Sequence, residues 1–143
     1  LSGVGQQHEA KALGNITPGM LIERAAGGVK AHGTATGPAN THFANEYGIT
    51  GLGIDDVYEA NDNVIFTTYA PGSHINALLA DGETALDGSM LVSDGAGALR
   101  VFVAATGGTI VAQALEALDN SAGGAVARIR VEVLPAAFVA PVV

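Results

Sequence analysis

The sequence predicts an all-β protein: a small barrel or sandwich with at most one short helix. Three observations predict it. Apolar residues alternate in short runs, most cleanly from Val126 to Leu134, where Ile129, Val131 and Val133 face one way and Arg128, Arg130 and Glu132 the other. Glycine is abundant, with 20 in 143 residues, and it falls mostly between those runs, where turns need positive φ. Apolar residues make up 48 % of the chain but aromatics only 5 %, and Trp is absent, so the core must be built from Ala, Val, Ile and Leu. Regularly spaced short strands with glycine turns are the pattern of small β architectures. The length fits one domain with a real core.

The elements follow in order. Residues 1–15 (LSGVGQQHEAKALGN) are polar and without period, and they read as an extended N-terminal arm outside the core. The body is expected from 16 to 134. Thr17-Pro18-Gly19 is a turn signal. Met20 to Arg24 and Val29 to His32 read as a hairpin turning at Gly27-Gly28. Residues 33–62 form a long irregular loop, which in a small domain is usually functional or a binding surface. Within it a helical turn over Ala39 to Tyr47 is expected, capped by Asn40 or Thr41, with Phe43 and Tyr47 on one face. Asn63 to Tyr69 is rich in β-branched and aromatic residues, the composition of a strand. His74 to Ala80 alternates, with Ile75, Ala77 and Leu79 on one side. Ser89 to Ser93 is a short strand between Asp-Gly turns. Ala98 to Ala105 is expected to turn Leu99, Val101 and Val103 inward and Arg100 and Phe102 outward. Thr109 to Glu116 reads as a strand, despite its helix-favouring Ala, Gln and Leu, because tight turns flank it.

The last segment, residues 135–143 (PAAFVAPVV), is apolar but carries Pro135 and Pro141. Two prolines argue against a helix or a central strand there. Such a tail must dock on its own body or on a neighbour, which makes Phe138, Val139 and Val142 candidate subunit or partner contacts.

The charge sum is 6 basic against 14 acidic residues, a net −8. A chain this acidic is not expected to bind nucleic acid through phosphates. No run of about 18 apolar residues is present, so no membrane contact is expected. Residues 1–12 lack the charged-then-apolar order of a signal peptide, and the start at Leu1 suggests upstream processing. Cysteine is absent, which removes disulfides, thiol nucleophiles and Cys-ligated zinc.

The residues offer no catalytic constellation. Ser2, Ser73, Ser89, Ser93 and Ser121 lack the Gly-x-Ser-x-Gly elbow. Ser73 and His74 are adjacent, so on a strand they face opposite sides. His8, His32, His42 and His74 lack metal-ligand spacing, and Asp55, Asp56, Glu59 and Asp62 lack the alternation of a calcium loop. Gly51-Leu52-Gly53 and Gly95-Ala96-Gly97 read as turns, since phosphate cradling also needs a helix N-terminus. No metal, cofactor or enzymatic activity is expected. A rival reading, a surface adhesion or glycan-binding module, would need an aromatic groove built from Phe43, Tyr47, Tyr58 and Tyr69.

An ordered series of segments resembles the tailed-phage capsid cement (head decoration) proteins. It opens with Ile16-Thr17-Pro18-Gly19-Met20-Leu21-Ile22-Glu23-Arg24 and Gly28-Val29-Lys30-Ala31-His32-Gly33. It continues through Gly53-Ile54-Asp55-Asp56-Val57-Tyr58, Asp62-Asn63-Val64, Pro71-Gly72 and Ala77-Leu78-Leu79-Ala80-Asp81-Gly82. Asp87 to Gly95, Ala114-Leu115-Glu116 and Ala127 to Leu134 complete it. The resemblance implies a non-enzymatic protein on the outside of the expanded phage head, with a β-tulip barrel as its body. It implies a homotrimer at local threefold axes that clamps the major capsid protein and stabilises the shell against DNA pressure. The N-terminal arm, here Leu1, Ser2, Gly3, Val4, Gly5, Gln6, Gln7 and His8, would then add a strand to a capsid sheet.

Overall fold

The computed structural model describes residues 5–45 and 56–142. Among them there is no helix. The strands in chain order are β1 (Gly5–Lys11), β2 (Ile22–Ala25), β3 (Gly28–Ala31), β4 (His42–Ala44), β5 (Asn63–Tyr69) and β6 (His74–Leu79). They continue with β7 (Thr84–Ala85), β8 (Met90–Ser93), β9 (Leu99–Val101), β10 (Gly108–Ala114), β11 (Leu118–Asp119) and β12 (Ala127–Val139). The all-β expectation holds.

Five strands close a barrel in the order β10-β12-β6-β9-β8. A separate sheet, β1-β5-β4, lies beside it, with the hairpin β2-β3 over one face and the small pair β7-β11 elsewhere. Two-residue alternation divides the interior between them. Phe43 joins the barrel core with Leu79, Leu91, Leu99, Val111 and Ile129. Its neighbour Ala44 joins the second core with Ile16, Ile22, Tyr58, Val64 and Phe66. Leu21 and Ile22 divide in the same way. Leu21 bridges to Phe43, so the two segments that each feed both cores, Leu21-Ile22 and Phe43-Ala44, are joined by their backbones.

Several elements depart from expectation. The hairpin pairs Ala25 with Gly28, which puts its turn at Ala26-Gly27, one residue early. Gly27 has φ +89°, the left-handed conformation that only glycine adopts without strain, and that fixes the register. The helical turn over Ala39 to Tyr47 is a strand over His42 to Ala44, paired with β5; residues 46 and 47 lie outside the described ones. Pairing with a β-rich neighbour outweighs a one-turn helix with a single cap. The strand expected over Ala98 to Ala105 stops at Val101, and Val103 is 45 % exposed rather than inward. A turn closed by Thr106 N–H to the Val103 carbonyl diverts it.

The two ends differ most. Gly5–Lys11, read as part of a free arm, pairs along its whole length with β5, from Gly5 opposite Tyr69 to Lys11 opposite Asn63. Ala12 follows into the core, fully buried. The strand is polar because it is an edge, with most of its side chains exposed. At the other end β12 runs through Pro135 to Val139, a stretch whose two prolines argue against a central strand. Pro135 escapes the usual penalty because it sits in an irregularity: Ile110 pairs with Ala137, but Ala112 pairs with Val133, leaving surplus residues on β12. Pairing with β6 has already ended at Glu132 opposite His74. Pro135 therefore lies past the doubly paired part of β12.

The front of the expected loop is also pinned. Thr36 donates its N–H to the Ser93 carbonyl and accepts from Thr109 N–H. Gly108, at φ +133°, allows this approach, since a Cβ there would stand 2.7 Å from the Thr36 Cβ.

Candidate interaction surfaces

The sequence-derived contact residues fall at two places. Leu1, Ser2, Gly3 and Val4 lie outside the described residues. Gly5, Gln6 and Gln7 are exposed on β1, and His8 is half-buried there. Because the sheet order is β1-β5-β4, β5 takes only the inner edge of β1. Among the described residues, no strand pairs with the outer edge, and β3 approaches it only at its end, where Gly28 packs on the Lys11 carbonyl and Ala12 bridges to Val29. An edge of this kind is a template for main-chain pairing with another polypeptide.

The second place is the far end of β12. Phe138 is 70 % exposed and Val142 63 %. Val139 is half-buried and paired with Gly108. Val142 N–H donates to the Ala104 carbonyl, which fastens the end of the chain beside exposed Val103. Leu134 to Val142 contains no charged residue. With Phe138, Val142 and Val103 exposed, this uncharged strand end is a candidate contact surface. The two places do not share a strand, and nothing in the sheet pairings brings them together.

Sequence reasoning missed a cluster around Phe66. The His8 ring centroid lies 5.2 Å from that of Phe66, and the His42 ring lies 5.7 Å away, edge-on. The Arg24 guanidinium stands over the same ring at 5.2 Å. These residues are far apart in the chain, and only the β1-β5-β4 register and the hairpin above it unite them. His42 Nδ1 bonds the Thr68 hydroxyl at 2.7 Å. Burial pushes the His42 imidazole below its ordinary pKa, and the charges of Arg24 and His8 push it the same way.

It also missed a buried polar pair. His32 and Ser93 are each 1 % exposed, and His32 Nδ1 lies 2.6 Å from Ser93 Oγ. His32 Nε2 donates to the Pro38 carbonyl at 2.7 Å, and Glu23 stands 3.7 Å from the same nitrogen. Ser93 Oγ also accepts from Gly95 N–H. The order carboxylate, imidazole, hydroxyl imitates a hydrolytic triad, but here both partners are sealed inside. What the arrangement does is hold the loop after β3 against the end of β8.

The remaining candidates find structural places. Phe43 and Tyr58 are each 1 % exposed, and the Tyr58 hydroxyl donates to the Asn45 carbonyl. Tyr69 is half-buried, and its hydroxyl donates to Asn45 Oδ1. Buried in this way, Phe43 and Tyr58 do not line an exposed aromatic groove; Tyr47 lies outside the described residues. In the acidic run, Asp62 caps a turn by accepting Glu59 N–H, and Asp55 lies outside the described residues. His74 stands 3.5 Å from Glu132. No group of three or more His, Asp or Glu suited to a metal occurs among the described residues. Gly95 and Gly97 serve turns at φ +87° and +89°. Ser121 holds Asp119 by its hydroxyl and N–H, which keeps that exposed carboxyl below its usual range.

No protein-family model and no curated protein matches the chain. Among solved structures, the fold is similar to the N base of the head fiber protein gp8.5 of bacteriophage phi29. The TM-score is 0.56 at 10 % identity, covering 91 % of this chain and 94 % of that one. The two chains share an architecture over nearly their whole length.

Proposed function

We propose that this chain is a structural protein of a phage virion, a decoration protein that sits on the outside of the head and transforms no substrate. The observation that carries the reading is the likeness of fold to a head fiber base across 91 % of the chain. The ordered series of decoration-protein segments points the same way. The surface chemistry agrees: a net −8 suits a position away from packaged DNA.

In this reading the protein acts as a homotrimer at local threefold axes. A trimer contacts several major capsid subunits at once, and each contact raises the effective concentration of the next. The outer edge of β1, with the residues before it, adds to a strand of the capsid protein. The apolar end of β12, with Phe138, Val139 and Val142, meets a sibling subunit. No cofactor takes part.

Two measurements test this. Light scattering of the purified protein should give three times 14.3 kDa. Expanded heads lacking the protein should bind it in saturable fashion, and a cryo-electron map should place it at threefold axes. Deleting residues 1–4 leaves the β1–β5 register untouched and should weaken head binding by tenfold or more, about 1.4 kcal/mol. A monomer that heads do not retain would overturn the reading.

A further inference from the structure

Arg24, His8 and His42 each stand within 5.7 Å of one point, the centre of the Phe66 ring. Any two of them are therefore within twice that distance. They come from three strands: β2, β1 and β4. The chain that gathers them is strongly acidic, yet no carboxylate joins them among the described residues. Two other basic groups do meet carboxylates: Lys30 meets Glu23 at 3.3 Å and Arg130 meets Glu116 at 3.2 Å.

The neighbours explain why the cluster stays unneutralised. On β1, Gln6, His8 and Ala10 share a face, and Glu9 and Lys11 take the other. On β5, the same face carries Val64, Phe66 and Thr68, none of them titratable. On β4 it carries His42 and Ala44. In the hairpin, Arg24 shares its side with Ile22 and Val29, while Glu23 and Lys30 take the opposite side and meet each other. The charges acting on His42 are Arg24 and His8, both repulsive. Arg24 is exposed, and its guanidinium lies over a π-face with no carboxylate partner among the described residues. His42 uses Nδ1 for Thr68 and retains Nε2.

We propose that this roof over Phe66 receives a carboxylate from an acidic side chain of a partner protein. Arg24 supplies the two parallel donors that match a carboxylate, and His8 and His42 add donors when protonated. The partner delivers the group along β1. A strand added to the free outer edge of that strand would carry its alternate side chains past His8 on the face where the roof stands. This rests on the β1 edge used in the preceding section, but its test needs no phage head, so the two can fail separately.

The test is NMR on the folded chain, following the imidazole nitrogens of His8 and His42. A glutamate-rich peptide and free acetate are titrated in turn at about pH 5.5 and about pH 7.5. Saturable shifts with the peptide are expected, roughly fivefold tighter at the lower pH. Arg24→Gln should weaken binding roughly fivefold or more, with amide dispersion retained, and Arg100→Gln on the barrel should not. Non-saturating shifts, or Arg24→Gln binding like the parent, would overturn the site. Acetate matching the peptide per carboxylate would overturn the partner assignment, leaving a small-anion site.

Discussion

At the residue scale, the least visible feature in the sequence is the one under most constraint. His32 is a lone histidine between two strands, and Ser93 is 61 positions away. Nothing in their spacing suggests a pair. Yet His32 Nε2 can only donate to the Pro38 carbonyl, which leaves Nδ1 to meet the Ser93 hydroxyl. Ser93 Oγ in turn takes the N–H of Gly95. Each group is satisfied, and no buried polar side-chain atom is left orphaned among the described residues. Ser93→Ala removes one oxygen and takes a partner from two groups, the buried imidazole nitrogen and the part-buried Gly95 N–H. The expected cost is about 1–3 kcal/mol. Urea unfolding of the parent and the variant measures it. A difference within about 0.5 kcal/mol would mean that the pair closes up or is replaced by water.

At the element scale, strands written by alternation were legible. Asn63 to Tyr69 has the bounds the sequence suggested, and Ile129, Val131 and Val133 are buried as their spacing implied. The elements that misled are those whose partner supplies what their own residues lack. β1 has no apolar stripe, so it reads as an arm; it becomes a strand because β5 presents a full row of main-chain groups and Phe66 for His8 to lie against. Pro135 reads as a stop, but it coincides with a change of register that the sequence does not announce. Of the surfaces, the apolar end of β12 was readable from its composition, whereas the roof over Phe66 depends on three-strand register and was not. The pairing of β1 has a consequence for how the ends are probed. Deleting residues 1–11 would strip the edge of β5 along seven paired positions and uncover Val64 and Phe66. At about 0.5–1.5 kcal/mol per lost hydrogen bond, the deletion should cost at least about 3 kcal/mol. Its urea midpoint should fall well below that of a chain lacking only residues 1–4. Equal midpoints would show that β1 is a loosely held arm after all.

At the scale of the whole molecule, the question is whether two cores make one folding unit. The barrel core and the core beneath β1-β5-β4 are separate clusters, and each has its own sheet. Separate cores often open separately. Here they are sewn together by short alternating segments. Leu21 and Phe43 face the barrel while Ile22 and Ala44 face the other core, so neither core can loosen without moving a residue bonded to the other. Leu21 N–H donates to the Gly97 carbonyl, and Ala44 N–H to the Met20 carbonyl, which fixes both segments by their backbones. Arg128 on β12 reaches back to the Pro18 carbonyl, joining the last strand to the turn before β2. The molecule should therefore unfold in one transition at fixed concentration. Tyr58 lies in one core and Tyr69 packs against the other, and there is no Trp to obscure them. Tyrosine near-UV dichroism and far-UV backbone dichroism should give superimposable urea curves, and Tyr58→Phe and Tyr69→Phe should leave the curves coincident. Two resolved steps, with the Tyr58 signal lost before the barrel strands, would show instead that the outer sheet is a detachable unit and that Leu21 and Phe43 do not couple it to the barrel.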